Sequence, residues 1–406
     1  MKLQTGERKI PMLDLRLEYE QMKGDINRAI DRCLAHQRWI FGPEVGELEE
    51  KAGAYLGAAH CVGASSGTEA LVLALRALAI KTGREYFSRE EEIITTPFTF
   101  TATGDAILRS GATPAFIDID PSTYNIDTAK LRRYLESGPG RAVGILPVHL
   151  YGCPCDMDAI MGLAERFGLF VVEDVAQAFG GAWNGRRLGT IGDAGAFSFF
   201  PSKNLGGFGD GGMLATNDAL IAETARMLIK HGGRDKYNVD HVGYNARLDT
   251  LQAAIVLSKL PRIEELNGRR RAIAGIYSET LSEVAEIDLP SAPPPGLHVY
   301  NQYTIRVRGA SARGASAPQT GPRDGPREDL QGRLRKQGVD TMVYYPVALH
   351  KMKVFYGKCA VPYMLGESEQ AVKEVLSLPV EPFMREEDVR DVGRTIREFF
   401  SREPGE

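Results

Sequence analysis

No stretch of the 406-residue chain approaches the roughly 18 uninterrupted apolar residues that a helix needs to cross a bilayer. The opening decapeptide MKLQTGERKI likewise has no apolar core of a secretion signal, so a soluble, cytoplasmic protein without a membrane partner is expected. Cysteine is scarce and odd in number: Cys33, Cys61, Cys153, Cys155 and Cys359 do not make a disulfide framework in a chain this long. Cys153 and Cys155 flank Pro154 as the one tight pair. They lack a second pair or a neighbouring His cluster, so no metal is expected. An excess of one charge is missing too. With 49 Lys+Arg against 53 Asp+Glu the net charge is -4, which leaves no basic field to recruit nucleic acid. Any anion must therefore be caught by a local site.

What is there in quantity is length and glycine. The chain exceeds the size at which single cores stop growing, so two domains are expected. Glycine, at 44 residues, is above the globular average and needs a reason. Short apolar runs at Glu92–Thr96, Thr113–Ile117, Ala142–Val148, Phe170–Glu173, Gly195–Phe199 and Gly212–Thr216 read as strands. Between them, 69–80 and 157–167 carry apolar residues at helical spacing, and 69–80 is apolar nearly all round, the mark of a buried helix. The alternation predicts an α/β fold with a mainly parallel sheet. From Leu248 a long helical pattern is broken at Pro261, and a strand is expected at Tyr300–Val307. The Gly-, Ala-, Ser- and Pro-rich segment 309–326 reads as a flexible surface insertion.

Three local features bear on chemistry, each with an ordinary structural alternative. Ser66-Gly67-Thr68-Glu69 opens the buried helix and would offer backbone N–H groups to a phosphate. It is equally a Ser N-cap with Glu as capping partner. The strand ending in Glu173-Asp174 places carboxylates where open α/β sheets bind ligands, and Asp174 could pair with a protonated ring nitrogen. A helix-capping Asp is the alternative. Lys203 follows the strand GAFSF among apolar neighbours, a setting in which a lysine can be neutral enough to form a Schiff base, or it is a plain surface lysine. The glycine-dense run 205–212 after it would let backbone approach a bound group.

Taken together, the motifs SGTEAL (66–71), FTF (98–100), PVHLYG (147–152), EDVAQA (173–178), FSFFPSKNLG (197–206), GYNARLDTLQAA (243–254) and YYPVALH (344–350) resemble the DegT/DnrJ/EryC1/StrS sugar aminotransferases. The resemblance spans Pro11 to Pro382. It implies the aspartate aminotransferase-like fold (fold type I), with a large domain built on a mostly parallel seven-stranded sheet and a smaller C-terminal α+β domain. Residues 1–265 would form the N-terminal arm and the large cofactor domain, and 266–406 the small domain with the 309–326 insertion. It also implies pyridoxal 5'-phosphate as cofactor, pyridoxamine 5'-phosphate as its aminated form, and a homodimer with shared active sites.

Residue by residue, the resemblance makes Lys203 the cofactor-binding catalytic lysine, Asp174 the partner of the pyridine nitrogen and Gln177 a hydrogen-bond partner of the ring hydroxyl. Phe100 would stack on the ring, while Gly67, Thr68 and Ser198 would hold the phosphate, joined by Asn245 from the other subunit. Arg247 would fork a carboxylate of glutamate or of an acidic sugar, and its alternative is an ion pair at a helix start. His350 and Tyr345 of YYPVALH, and Trp39 with Phe41 in RWIFGPEV, match the sugar-binding region or serve packing. Segment 82–91 looks like an additional loop. The implied reaction is transamination of a nucleotide-linked keto sugar by L-glutamate. The nearest pattern is that of enzymes making UDP-linked 3-amino uronic acids for surface polysaccharide, with amination at carbon 4, as in perosamine synthases, as the alternative. A non-catalytic regulatory cofactor binder would be expected to have lost Lys203 or Asp174, and both are present.

Overall fold

A computed structural model describes residues 9–138, 140–308 and 325–401. Seven strands form the main sheet: β1 (His60–Ala64), β2 (Glu92–Thr95), β3 (Thr113–Phe116), β4 (Ala142–Ile145), β5 (Phe170–Asp174), β6 (Ala194–Ser198) and β7 (Gly212–Thr216). Their order is β1-β7-β6-β5-β4-β2-β3. Only β7 runs antiparallel to its neighbours, and the other pairings are parallel. Both faces are covered, as parallel sheets require, so consecutive strand residues enter different cores. Val171 packs with the helices Pro43–Leu56 and Met157–Phe167, whereas Val172 packs with Gly67–Lys81 and Ala219–Leu228. The helix Gly67–Lys81 has nearly every residue from Ala70 to Ala79 buried, which explains its all-round apolar sequence.

Helix starts follow local chemistry. Ser66, Asp127, Asp156 and Asp218 cap their helices with side-chain oxygens, and glycines at 57 and 168 end the helices Pro43–Leu56 and Met157–Phe167 in the left-handed region. Beyond the main sheet, Pro261 lies in a 3-10 turn between the helices Thr250–Lys259 and Ile263–Leu281. A separate core forms there around the strands Ile287–Asp288, Tyr303–Val307 and Val375–Leu378, the last helix Glu386–Ser401, and Ile10 from the opposite end of the chain. The strand expected at 300–307 begins at Tyr303, because Tyr300 takes a left-handed backbone conformation and 301–302 bend. Of the expected insertion, 309–324 lies outside the described residues, while Gly325 and Pro326 form the start of the helix Pro326–Lys336. Segment 82–91 is tied down: the Glu85 carboxylate accepts bonds from Arg76, the Val242 N–H and His241. Arg76 is fully buried, stacks on Tyr86 and donates to the Tyr244 hydroxyl, so this segment braces the loop that leads into Asn245.

Candidate active site

The carboxyl ends of β5 and β6 lie side by side, with Asp174 opposite Ala196, and a cleft opens there. It is a cavity of about 470 Å³, within the range of small-molecule sites. Gly67, Thr68, Phe100, Asp174, Gln177, Ser198, Lys203 and Tyr345 all line it.

Asp174 is buried, and each of its oxygens is held. Oδ1 accepts from the Ala176 N–H at 3.1 Å and Oδ2 from the Thr103 hydroxyl at 2.9 Å. Burial pushes its carboxyl above the usual range, against those two bonds and the positive field of Lys203. Lys203 sits in the turn after β6, its N–H bonded to the Phe200 carbonyl. Burial lowers the proton affinity of its amine, opposed by Asp174. A lysine driven toward its neutral form beside a buried carboxylate is poised for nucleophilic chemistry.

The helix starting at Gly67 presents its first N–H groups to the same space, since the first intrahelical bond runs from Ala70 to Ser66. Ser66 does cap the helix, accepting from the Glu69 N–H at 3.1 Å, so capping and an anion cradle coexist. The cradle is made by the absence of side chains. A Cβ on Gly67 would lie 2.7 Å from the Ser198 Cβ, and one on Gly212 would lie 2.3 Å from the Ser66 carbonyl carbon. Phe100, 55% exposed, precedes the helix Thr101–Arg109 with its ring 6.1 Å from the Tyr345 ring. Gln177 donates from Nε2 to the Tyr345 hydroxyl at 2.8 Å and accepts the Tyr151 N–H at Oε1, which leaves one Nε2 hydrogen for a ligand.

An anion cradle, a buried carboxylate, an exposed aromatic face and a low-affinity lysine in one cavity fit a phosphorylated, nitrogen-containing aromatic aldehyde. The sequence model of the DegT/DnrJ/EryC1/StrS aminotransferase family matches residues 20–397. The chain belongs to that family. It is a pyridoxal-phosphate-dependent transaminase with the aspartate aminotransferase-like fold. Among curated relatives, a "Pleiotropic regulatory protein" of Geobacillus stearothermophilus is 42% identical over 96% of this chain and 98% of its own length. A UDP-N-acetyl-3-dehydro-alpha-D-glucosamine 3-aminotransferase of Acidithiobacillus ferrooxidans is 39% identical, covering 97% and 98%. A UDP-2-acetamido-2-deoxy-3-oxo-D-glucuronate aminotransferase of Pseudomonas aeruginosa is 37% identical, covering 92% and 96%. Among solved structures, S. venezuelae DesV in complex with a ketimine intermediate superposes with a TM-score of 0.88 at 36% identity, covering 98% of this chain and all of that one.

The remaining expected site residues of this aminotransferase lie outside the cavity of their own chain. Asn245 and Arg247 are bonded to each other on an exposed loop that bridges to Lys230 and to Ala64. Trp39 and Phe41 are 40% and 45% exposed near the start of the helix Thr250–Lys259, where the Trp39 carbonyl accepts the Thr250 N–H. His350 does not line the cavity, and its Nε2 pairs with Glu369 at 3.0 Å. Glu173, the second carboxylate of the strand end, faces away from Asp174 because adjacent strand residues point to opposite sides. It accepts from the Gly189, Ile191 and Gly192 N–H groups and from the fully buried His149, a set that fixes the turn before β6. Thr103, Ser202, Gln302 and Tyr344 also line the cavity and were not singled out from the sequence. Thr103 reaches the cavity from the first turn of the helix Thr101–Arg109, next to the FTF motif. Away from the cavity, donor atoms of Cys33, His36 and Glu44 gather within 4.8 Å, but Arg32 and His36 already hold Glu44.

Proposed function

We propose that this transaminase aminates a nucleotide-linked keto sugar, with L-glutamate as donor, in the cytoplasmic assembly of surface polysaccharide or lipopolysaccharide. The observation that carries it is Lys203 and Asp174 facing one cavity with a phosphate cradle at its wall. Pyridoxal phosphate, when bound, supplies an electron-withdrawing ring. Asp174 would keep its ring nitrogen protonated, Gln177 would meet its hydroxyl, Phe100 would cover its face, and Gly67, Thr68 and Ser198 would hold its phosphate. Lys203 Nζ would hold the cofactor's aldehyde carbon and would serve as the base for the proton at the donor's α-carbon, a task suited to an amine whose proton affinity burial has lowered. Asn245 and Trp39, which are exposed, and the half-buried Arg247 complete the cavity of a second subunit in a homodimer. Tyr345 is at hand for the sugar from within the chain, and His350 borders that region through the same loop.

The substrate we favour is a UDP-linked 3-oxo uronic acid of the 2-acetamido-2-deoxyglucuronate type, because Arg247 is a natural fork for the sugar carboxylate. A second reading, the neutral UDP-3-oxo-N-acetylglucosamine, is favoured by the name of the 39% identical relative. The reverse half-reaction separates them. Enzyme loaded with pyridoxal phosphate is offered UDP-, GDP- and dTDP-linked amino sugars, and conversion to the aminated cofactor is followed by the loss of its visible absorbance. Deamination of the 3-amino uronate supports the first reading and of the neutral 3-amino sugar the second; reaction with 4-amino sugars alone would overturn both.

A further inference from the structure

Behind the wall formed by Ser202, Gln302 and Tyr344 lies a second, smaller cavity of about 50 Å³, and those residues also line the active-site cavity. Four buried side-chain atoms around it have no hydrogen-bond partner among the described residues: Arg270 Nε, Asn301 Oδ1, Gln302 Oε1 and Glu381 Oε1. Their residues are 5%, 8%, 9% and 5% exposed. Unpartnered buried polar atoms are few in native proteins, and a group of four around one space marks a place that is filled by something polar.

We propose that this annexe is a carboxylate pocket, in which Arg270 receives the side-chain carboxylate of the amino donor. The inference rests on the transaminase reading above. Among the described residues lining the main cavity, Lys203 is the only cation, and its nitrogen is committed to the reacting carbon. Within one chain, Arg270 is a buried guanidinium lining the adjoining annexe, additional to the Arg247 that a second subunit would bring. Its Nη1 donates to the Val380 carbonyl at 3.3 Å while Nε is free. The annexe holds little more than a carboxylate, and it lies beyond Ser202 from the lysine, so it suits the end of a chain whose α-carbon stays beside Lys203. Burial pushes the Glu381 carboxyl up to about 7, opposed by Arg270 and the Phe383 N–H and reinforced by Glu18 and Asp14. Its protonated form can donate to the incoming carboxylate. Asn301 Nδ2 is spent on Asn204 and Ser202, which fixes its oxygen as an acceptor for a water beside the bound group.

The test uses full-length holoenzyme and single-turnover donor reactions followed by loss of the visible absorbance. Arg270→Gln should lower the second-order rate with L-glutamate by about ten- to a hundredfold, the range for a lost hydrogen bond to a charged group. Its rates with L-alanine and with the amino sugar in the reverse half-reaction should stay within about twofold. Arg270→Lys should recover part of the glutamate rate. Glu381→Gln, which keeps an N–H donor, should retain that rate and flatten its decline as pH rises through about 7. The lysine and Glu381 variants carry the test if Arg270→Gln does not load cofactor. Equal loss with both amino acids, or none, would overturn the pocket while leaving the transaminase reading intact. Wild-type enzyme that accepted L-alanine but not L-glutamate would overturn the donor assignment and the pocket together.

Discussion

Thr103→Val removes the hydroxyl that holds Asp174 Oδ2 and leaves the volume of the side chain nearly unchanged. The bond is 2.9 Å long and both partners are buried, so water does not replace it. A hydrogen bond to an ionised group contributes about 1.5–3 kcal/mol, and that is the expected loss of stability in the cofactor-free protein at neutral pH. The loss should depend on pH in a definite direction. Burial raises the folded Asp174 carboxyl above its ordinary value of 3.8, so the destabilisation from burying its charge is absent near 3.8 and complete above the folded value. Thr103 offsets part of that cost. The valine variant should therefore be most impaired at neutral and higher pH and approach the parent as pH falls toward 3.8. Urea unfolding across this range reads the effect, and an Asp174→Asn background tests its origin, since there Thr103→Val should cost less than about 1 kcal/mol. A loss of the same size at every pH, or in both backgrounds, would mean that Thr103 acts by packing and would refute the reasoning.

Other outcomes follow from the same geometry. Lys203→Ala should abolish the visible absorbance and lower turnover at least about a hundredfold. Mixed with Asn245→Ala subunits, it should regain roughly a quarter of the wild-type sites if each active site is shared across a twofold interface; no recovery after subunit exchange would refute the shared site. Gly212→Ala, whose new methyl would meet the Ser66 backbone, should destabilise the protein by about 1–3 kcal/mol and weaken cofactor retention, read by dialysis and absorbance. Asp118→Asn should cost about 1.5–3 kcal/mol at neutral pH. Burial raises the Asp118 carboxyl, but bonds from Ser368, the Glu367 N–H and Lys130 overcome this and hold it below its ordinary 3.8. Its contribution is thus present above 3.8 and lost as pH falls through the lower folded value, so the variant and parent should converge in acid.

How much of the site was legible varied with how local its causes are. Lys203 and Asp174 stand at strand ends, where the alternation of apolar runs and helical patterns already implies a ligand site. The phosphate cradle was readable as a helix start, yet the Gly67–Ser198 and Gly212–Ser66 approaches that make room for an anion join residues far apart in sequence. Thr103 reaches Asp174 across 71 positions, and no pattern in the TATG segment announces it. His350 shows the opposite case, a chemically versatile residue in a suggestive motif whose ring is held by Glu369.

The sequence by itself determined the fold class, because periodicity and capping residues act within a few positions of the chain. It also placed Lys203 and Asp174 at strand ends, since those depend on where apolar runs stop. Only the tertiary structure decided that Glu173 is a core brace while Asp174 faces the cavity. It also separated the residues that line the chain's own cavity from Asn245, Arg247 and Trp39, which do not. Arg270, Asn301, Gln302 and Glu381 gather around one space for the same reason. Burial and charge compensation are properties of neighbourhoods assembled from distant segments, and a single chain read in order does not contain them.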